Sequence, residues 1–423
     1  MKGYLHEGNP KKDALMNCVK TGTSRLRDVE IDRAWRFPYI EDTLKVFNGA
    51  YTFDHAFYNA LYQEALDRKL DYINSFRSRR GRGFKYKLTI EDVARLLYPT
   101  QIFKNVIVSN INNDEHPAAW SEHYMLRMYD NDPASRDYGL YVSPDAWVET
   151  YVKLDSSERP GPYRNKILEE LSLISETVKR NADRGLYAVL NGIYDVESGV
   201  LMDYHPDCIF LKKVYIDYKA DLECPAVDGW LLKLAGNNED VVDLYWQVIA
   251  EVLQVNVSRH QAIILHADGD ISGRNTFRRL LLNLVDKHTT FAIENFIVAN
   301  QTLGSLLDSA ANIGGQDVTV KHLEQRPLYV DNIIGNNFEG RERRGVPVQY
   351  SYDGANVQMA TDLPEFQDAS MLKERLVIVP FYQEASEIDV ESEAVLRYVL
   401  SRALERADFE GFVEPEIVKK HFL

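Results

Sequence analysis

The chain has 423 residues, 45% hydrophobic and 27% charged, which is ordinary for a soluble globular protein of about two or three domains. It contains no apolar run long enough to span a membrane, and its N-terminus lacks the apolar stretch of a secretory signal. The formal net charge of -15 excludes a protein that coats nucleic acid with its whole surface, so any nucleic-acid contact has to come from a local basic patch.

The three cysteines, Cys18, Cys208 and Cys224, do not have the spacing of zinc ligands. Their small number predicts a reducing compartment without a disulfide framework. We therefore expect no metal site of that kind and a cytoplasmic location, in the host cytoplasm if the protein is viral.

Helices and a strand are predicted before residue 111. Tyr51–Phe76 has apolar residues at helical spacing and is predicted to form one amphipathic helix or two. Thr89 opens another helix, with Asp92 at the capping-box position. Gln101–Asn110 then alternates like a strand, whereas Asp114–Asp145 is polar and is predicted to be rich in loops.

A basic segment lies between the two predicted helices. Its composition, cations beside aromatic rings, is typical of a contact with single-stranded nucleic acid. It is equally typical of a solvated loop that balances an acidic chain, and both interpretations stay open. The basic residues are Arg77, Arg79, Arg80, Arg82, Lys85 and Lys87.

The middle of the chain mixes helices and strands. Ser156–Pro162 reads as a linker, and Tyr163–Arg184 as an amphipathic helix that includes Val178 on its apolar face. Short strands with turns at Asn191-Gly192 and at 197–199 are predicted after that helix. Another helical stretch is predicted over Val227–Leu253.

A short apolar strand, Gln261–Leu265, leads into His266–Phe277, HADGDISGRNTF, and a helix is predicted from Thr276 to Val285. Strand, glycine-bearing loop and helix are the context that a phosphate-binding loop requires. With Gly273 as its second glycine, the first glycine position holds Asp268.

The remaining positions of this Walker-type loop are also altered. Gly269 would supply some of the backbone freedom lost at the first position. Arg274 stands where lysine grips the phosphates, and its planar guanidinium keeps the charge but changes the shape. Asn275 stands where a Ser or Thr hydroxyl binds magnesium, and Thr276 would take that role if the helix start shifted by one residue.

Several further segments resemble the superfamily 3 helicases that are fused to primases in phages, plasmids and poxviruses. They follow the family's order on both sides of the loop. The segments are NGIYDVESGVLMDYHP (Asn191–Pro206), IDYKADLECP (Ile216–Pro225), NIIGNNFEGR (Asn332–Arg341), MATDLPEF (Met359–Phe366) and MLKERLVIVPF (Met371–Phe381).

This resemblance implies an α/β protein with a P-loop, AAA+-like ATPase core. A mixed α+β linker domain and a largely helical N-terminal region would precede that core. The implied division is 1–155, 156–255 and 256–423. Relatives bind ATP and Mg²⁺, form rings that are generally hexamers, and act on single-stranded or forked DNA, in some cases with a replication partner protein.

The resemblance also assigns catalytic positions. Arg375 is the counterpart of the arginine finger that reaches a neighbouring subunit's phosphate. Asp362 takes the position of the sensor asparagine that orients the attacking water. For the acid that binds magnesium and activates water, Glu324, Asp308 and Asp317 are the candidates. Phosphoryl transfer depends almost wholly on such positioned charges.

A second basic cluster, Arg341, Arg343 and Arg344, precedes an alternating stretch in which Asp353-Gly354 predicts a hairpin turn. Relatives insert a hairpin into the ring channel to grip DNA. The predicted tip is acidic, so the arginines at its base would contact DNA; a purely structural hairpin is the alternative.

Three functions remain open from the sequence. The first is a ring-forming replication protein, an ATP-dependent DNA helicase if it hydrolyses ATP. The second is a non-catalytic scaffold or loader that binds DNA or a replication partner, because the family's positions depart at several elements. The third is a P-loop-like protein outside replication.

Overall fold

The computed structural model describes part of the chain, and every structural statement below concerns that part. The described residues are 67, 88–107, 124–152, 160–259, 261–267, 272–286, 288–290, 310–317, 338–341, 347–350, 354–361, 376–383, 388–416 and 419. The predicted helix Tyr51–Phe76 lies outside them, apart from one residue. The chain divides into two compact units. One unit contains Met1–Val106, Leu126–Tyr129 and Val142–Val178, and the other contains Ile107–Met125, Asp130–Tyr141 and Lys179–Leu423.

The first unit packs helices on a four-stranded sheet of order β3-β2-β1-β4. The elements are α1 (Ile90–Leu97), β1 (Phe103–Ile107), β2 (Tyr124–Tyr129), β3 (Tyr141–Val142), α2 (Asp145–Val152), α3 (Pro160–Ile174) and β4 (Glu176–Lys179). The strand β2 lies in the stretch that the sequence predicted to be loop. Its buried residues include Met128, which packs in one core with residues of α1 and α3.

The predicted capping box at the start of α1 is confirmed. The Asp92 N–H donates to Thr89 Oγ1 at 3.2 Å, and the Thr89 N–H donates to Asp92 Oδ2 at 2.8 Å. These two bonds satisfy backbone donors that a helix start otherwise leaves open. The helix then buries Leu97 completely.

The helix predicted over Tyr163–Arg184 is wrong beyond Ile174. Asn105 on β1 donates through Nδ2 to the carbonyls of Ser172 and Ser175, at 2.8 and 3.1 Å. Because a side chain from a distant strand satisfies these terminal carbonyls, the helix ends there. Val178 consequently lies in β4 rather than on a helix face.

The second unit begins with an antiparallel sheet of β5 (Leu186–Val189), β6 (Gly192–Asp195) and β7 (Val200–Met202). Both predicted turns are confirmed. Next, α4 (Pro225–Leu234) and α5 (Glu239–Leu253) replace the single predicted helical stretch. They separate at Gly236 and Asn237, whose φ angles are 63° and 62°. Two consecutive left-handed residues cannot continue a right-handed helix.

A five-stranded parallel sheet forms the rest of the second unit, with the order β14-β8-β13-β10-β9. The strand predicted over Gln261–Leu265 is one of its strands, and the predicted helix that follows in the sequence is also present. The elements are β8 (Ala262–Ala267), α6 (Ser272–Leu284), β9 (His288–Thr289), β10 (Ala311–Asp317), a hairpin of β11 (Phe338–Arg341) and β12 (Pro347–Tyr350), β13 (Ala355–Ala360), β14 (Leu376–Phe381) and α7 (Glu393–Leu404). None of the helices that the structure describes is both long and apolar enough to cross a membrane.

An aromatic cluster fixes α6 on this sheet. The ring of Tyr245 on α5 lies 5.2 Å from that of Phe277 on α6 and 5.1 Å from that of Phe381 on β14. Phe277 and Phe381 lie 5.4 Å apart. Burial of each such ring stabilises the fold by about 1.5–3 kcal/mol. The start of α6 is therefore held close to the end of β14.

Glu251 on α5 connects separate segments of the second unit and is 3% exposed. It accepts hydrogen bonds from Arg184 Nη2 at 2.5 Å and from the Arg259 N–H at 2.6 Å. The Arg259 guanidinium also donates to the carbonyls of Phe409 and Glu410 and lies 4.1 Å from the centre of the Phe409 ring. One buried carboxylate thus holds the start of the β5 sheet, the approach to β8 and the C-terminal segment together.

Replacing Glu251 with Ala should lower the free energy of unfolding by about 3 kcal/mol, because the two arginines lose a shared buried acceptor. Urea denaturation measures this change. Glu393→Ala is the matched control, since Glu393 pairs with Arg397 but its side chain is 80% exposed; it should cost less than about 1 kcal/mol. Equal effects of the two substitutions would contradict the proposed role of the Glu251 network.

Candidate functional site

The carboxyl ends of the parallel strands lie at one edge of the sheet. The chain leaves β8 and passes β13 and β10 to reach β9, whereas it leaves β13 and passes β8 to reach β14. Connections from the neighbouring strands β8 and β13 therefore run in opposite directions. In open α/β sheets, ligands bind in the crevice that such a topological switch point creates.

Arg274, which was predicted to take the lysine position of a phosphate loop, lies at this switch point. It belongs to the first turn of α6 and is 3% exposed. Its Nη1 donates to the carbonyl of Ala360, the last residue of β13, at 3.1 Å. His266 Nδ1 lies 3.2 Å from the same oxygen. The structure thus places a buried guanidinium between the end of β13 and the start of α6.

Gly273 precedes Arg274 at a point of close packing. A Cβ added to Gly273 would lie 2.2 Å from Leu234 Cδ2 on α4 and 3.5 Å from the carbonyl oxygen of Gln383. A side chain at this position would push α6 away from both neighbours. The glycine therefore has a packing role that is independent of any phosphate.

The two residues proposed to bind magnesium differ in exposure. Asn275 is exposed, whereas Thr276 is 9% exposed and lies against the core side of α6. Adjacent residues of a helix face different directions, so only one of them is accessible from the surface. The helix begins at Ser272, four residues before the predicted start at Thr276.

Arg278 lies one turn after Arg274 on the same face of α6, and the sequence interpretation missed it. Its Nε donates to the Gly314 carbonyl on β10 at 2.6 Å, and burial lowers the pKa of its guanidinium. A Cβ on Gly315 would lie 2.9 Å from Arg278 Nη2. The glycine pair inside an apolar strand was the available signal, since glycine there often marks a close approach. The two arginines tie α6 to β13 and to β10.

Asp317 ends β10 at the same edge of the sheet, opposite Met359 of β13. In sequence it was one of three candidates for the magnesium-binding acid and lacked a clear strand before it. The structure supplies that strand, which ends at this residue. Asp308 and Glu324 lie outside the described residues, and the role of all three acids stays a prediction.

The hairpin predicted at Asp353-Gly354 is wrong. The observed hairpin pairs β11 with β12 in antiparallel register, with Arg341 opposite Pro347. Gly354 instead leads into β13, which is buried along its whole length and pairs with β8 and β10. A strand buried on both faces belongs inside a parallel sheet. Arg341 is the last residue of β11, and residues 342–346 connect it to β12 in the sequence.

The remaining predicted site residues lie outside the described part of the chain. They are Gly269, Glu324, Asp362 and Arg375 around the nucleotide site, and Arg77, Arg79, Arg80, Arg82, Lys85, Lys87, Arg343 and Arg344 among the predicted DNA contacts. Their roles stay predictions.

Asp130 and Asp132 are two neighbouring aspartates that form a turn. Asp130 Oδ1 accepts from the Asp132 N–H at 3.1 Å, and Asp132 Oδ1 accepts from the Ala134 N–H at 2.9 Å. Carboxylates that bond backbone two residues ahead are typical of structural turns. In the part of the chain that the structure describes, no group of three or more His, Cys, Asp or Glu side chains could hold a metal ion.

Comparison with known proteins gives one sequence relationship. Residues 148–235 match the family described as D5 N terminal like. No curated protein matches the sequence significantly. An A-form apo structure of the NrS-1 C-terminal region has a TM-score of 0.42 at 12% identity, covering 70% of this chain and 68% of that chain. A second such structure has a TM-score of 0.41 at 12% identity, covering 66% of each.

Structural likeness at these scores carries no argument for a shared function. The sequence match covers residues 148–235, which is 88 of the 423 residues, and relates that segment to the N-terminal part of the primase-helicase family. That confirms the predicted resemblance at the level of the primase-helicase family and for this segment of the chain.

Proposed function

We propose that this protein acts in DNA replication as a relative of the primase-helicases and binds ATP at the carboxyl edge of its parallel sheet. The observation that carries this proposal is the position of Arg274, a buried cation at the topological switch point where β8 leads into α6. The match of residues 148–235 to the D5 N terminal like family supports the replication context.

The residues at this edge fit a phosphate group. The first N–H groups of any helix have no acceptor within the helix, so those of α6 would be the donors to phosphate oxygens in the proposed site. Arg274 supplies the positive charge that the altered lysine position keeps. Gly269 would allow the loop to bend closely around the phosphates, as predicted from the sequence.

Two of the described residues would bind magnesium at this edge. Asp317 is the acid at the end of β10, and Asn275 offers an amide oxygen from the exposed side of α6. Magnesium commonly binds through one or two carboxylates together with substrate phosphates, which such a pair would allow. Asp362 and Arg375 complete the proposed site as the water-orienting group and the finger toward a neighbouring subunit.

The hairpin of β11 and β12 supports contact with DNA. It is inserted between β10 and β13, and the sequence that joins its strands, ERRGV, contains two arginines next to Arg341. A cluster of arginines at the end of a hairpin can contact phosphates although the chain as a whole is acidic. We propose that a ring, a hexamer as in the resembled family, presents these hairpins and the segment 77–87 to single-stranded or forked DNA.

A second candidate function is a non-catalytic scaffold or loader. The favouring observation is again Arg274: its guanidinium is already bonded to the Ala360 carbonyl and only 3% exposed, so a phosphate has to compete with that acceptor. The alterations at Asn275 and Asp362 also favour a protein without hydrolysis, because they replace residues that would bind magnesium and orient water. Such a protein would keep the fold and a replication partner while hydrolysis is lost.

ATP binding by the whole chain separates these functions. We expect Mg·ATP to bind, and Arg274→Ala to weaken binding at least about tenfold, since a charge-assisted hydrogen bond contributes about 1.5–3 kcal/mol. Arg279→Ala is the matched control, because this arginine lies on the same helix with 54% of its side chain exposed and pairs with Glu391. Calorimetric titration measures both variants.

Turnover with and without single-stranded DNA then assigns the mechanism. Magnesium-dependent hydrolysis that disappears in Arg274→Ala and in Asp317→Asn establishes an ATP-driven enzyme. Binding without turnover establishes the scaffold. Absence of ATP binding, or equal binding by the Arg274→Ala variant, would refute the proposed nucleotide site.

Removing the three hairpin arginines together, Arg341, Arg343 and Arg344, should weaken binding of single-stranded DNA. It should also reduce the dependence of affinity on salt by about 0.7 in slope for each phosphate that the variant no longer neutralises. The matched control removes the same charge elsewhere, by alanine at Arg279, Arg402 and Arg406. Equal reductions of affinity in both triple variants would show a general charge effect and contradict a role for the hairpin.

A further inference from the structure

Tyr382 lies directly beside the first turn of α6. It follows Phe381, which ends β14 opposite Ala267 of β8. The Tyr382 N–H donates to the Leu234 carbonyl at 3.0 Å, which fixes the backbone against the end of α4. The next residue, Gln383, packs against Gly273. Tyr382 is therefore a rigidly placed residue at the carboxyl edge of the sheet.

One side of the Tyr382 side chain is supported by Gly236. A Cβ on Gly236 would lie 3.2 Å from Tyr382 Cβ and 3.4 Å from the ring atoms Cγ and Cδ2. With a φ of +63°, Gly236 also allows the tight turn that brings α4 to this point. Any side chain at Gly236 would crowd the ring, so the close approach depends on the glycine.

Tyr382 is also 36% exposed, so this large side chain reaches the surface. Leu232, within the last turn of α4, is 37% exposed. An aromatic ring with a supported face and an accessible remainder is the arrangement on which nucleobases stack.

The two flanks of the α6 N-terminus differ in the exposure of their side chains. Toward β13, the crevice holds Arg274 and His266, both at least nine-tenths buried and both at the Ala360 carbonyl. Toward β14, the surface offers the Tyr382 ring. Of the residues just named on the two flanks, Tyr382 is the one whose ring is exposed to a nucleotide bound at the start of α6.

We propose that Tyr382 is the platform on which the base of the bound nucleotide stacks. This inference rests on the proposed function and adds a residue that determines affinity for the nucleoside part. Stacking uses the π-face that every base presents, so the platform discriminates weakly among bases. It makes no contribution to a ligand that consists of phosphates alone.

The test compares ATP with inorganic tripolyphosphate, each titrated into the whole chain with Mg²⁺. Tyr382→Leu keeps apolar cover over Gly236 without a ring, and Tyr382→Phe keeps the ring. We expect Tyr382→Leu to weaken ATP binding about 5- to 100-fold, the range of one base-aromatic stack, and to leave tripolyphosphate within about twofold. Tyr382→Phe should bind both ligands as the natural chain does.

Tyr124→Leu is the matched control, because Tyr124 on β2 is 43% exposed and far along the chain from α6; it should change neither affinity. A parallel weakening of ATP and tripolyphosphate binding in Tyr382→Leu would show that the residue only supports α6, and would overturn the inference. Unchanged ATP binding would overturn it too, while leaving the proposed function intact. Failure of the natural chain to bind either ligand would overturn both.

Discussion

Parallel pairing of β8 with both β13 and β14 positions the candidate groups that the structure describes at the end of the sheet. In a parallel sheet all carboxyl ends share one edge, so residues that follow these strands meet although up to 114 positions separate Ala267 from Phe381. The switch in strand order between β8 and β13 is the place where open α/β sheets bind ligands. The proposed roles of Arg274, Asp317 and Tyr382 depend on this arrangement of the strands.

Arginine hydrogen bonds connect several elements of the second unit, and one of these arginines belongs to the proposed phosphate site. Arg184 and Arg259 hold Glu251, while Arg274 and Arg278 hold α6 to the ends of β13 and β10. An arginine that is bonded to a backbone carbonyl stabilises the core without a ligand. A phosphate bound at Arg274 would replace the Ala360 carbonyl as the acceptor of its hydrogen bond. The difference in free energy between these two bonds decides between the two proposed functions, ATP binding and a scaffold.

Local signals in the sequence were sufficient where the determining contacts are local. The capping box at Thr89, the turns around Asn191-Gly192, and the strand and helix around the phosphate loop were all predicted. The other predictions were wrong because the contacts that decide them join residues far apart in the sequence. The helix after Tyr163 ends early because Asn105 bonds its last carbonyls, and the hairpin was misplaced because Ala355–Ala360 is a buried sheet strand. The environment of Arg274 was not predictable, since its acceptor lies 86 residues away.

The central claim is that ATP binds at the carboxyl edge of the parallel sheet. Hydrogen–deuterium exchange of the whole chain, with and without Mg·ATP, tests it most directly. We expect slower exchange in peptides that cover the end of β8, the first turns of α6 and the end of β13. Protection confined to other parts of the chain, or no protection at saturating ATP, would contradict it.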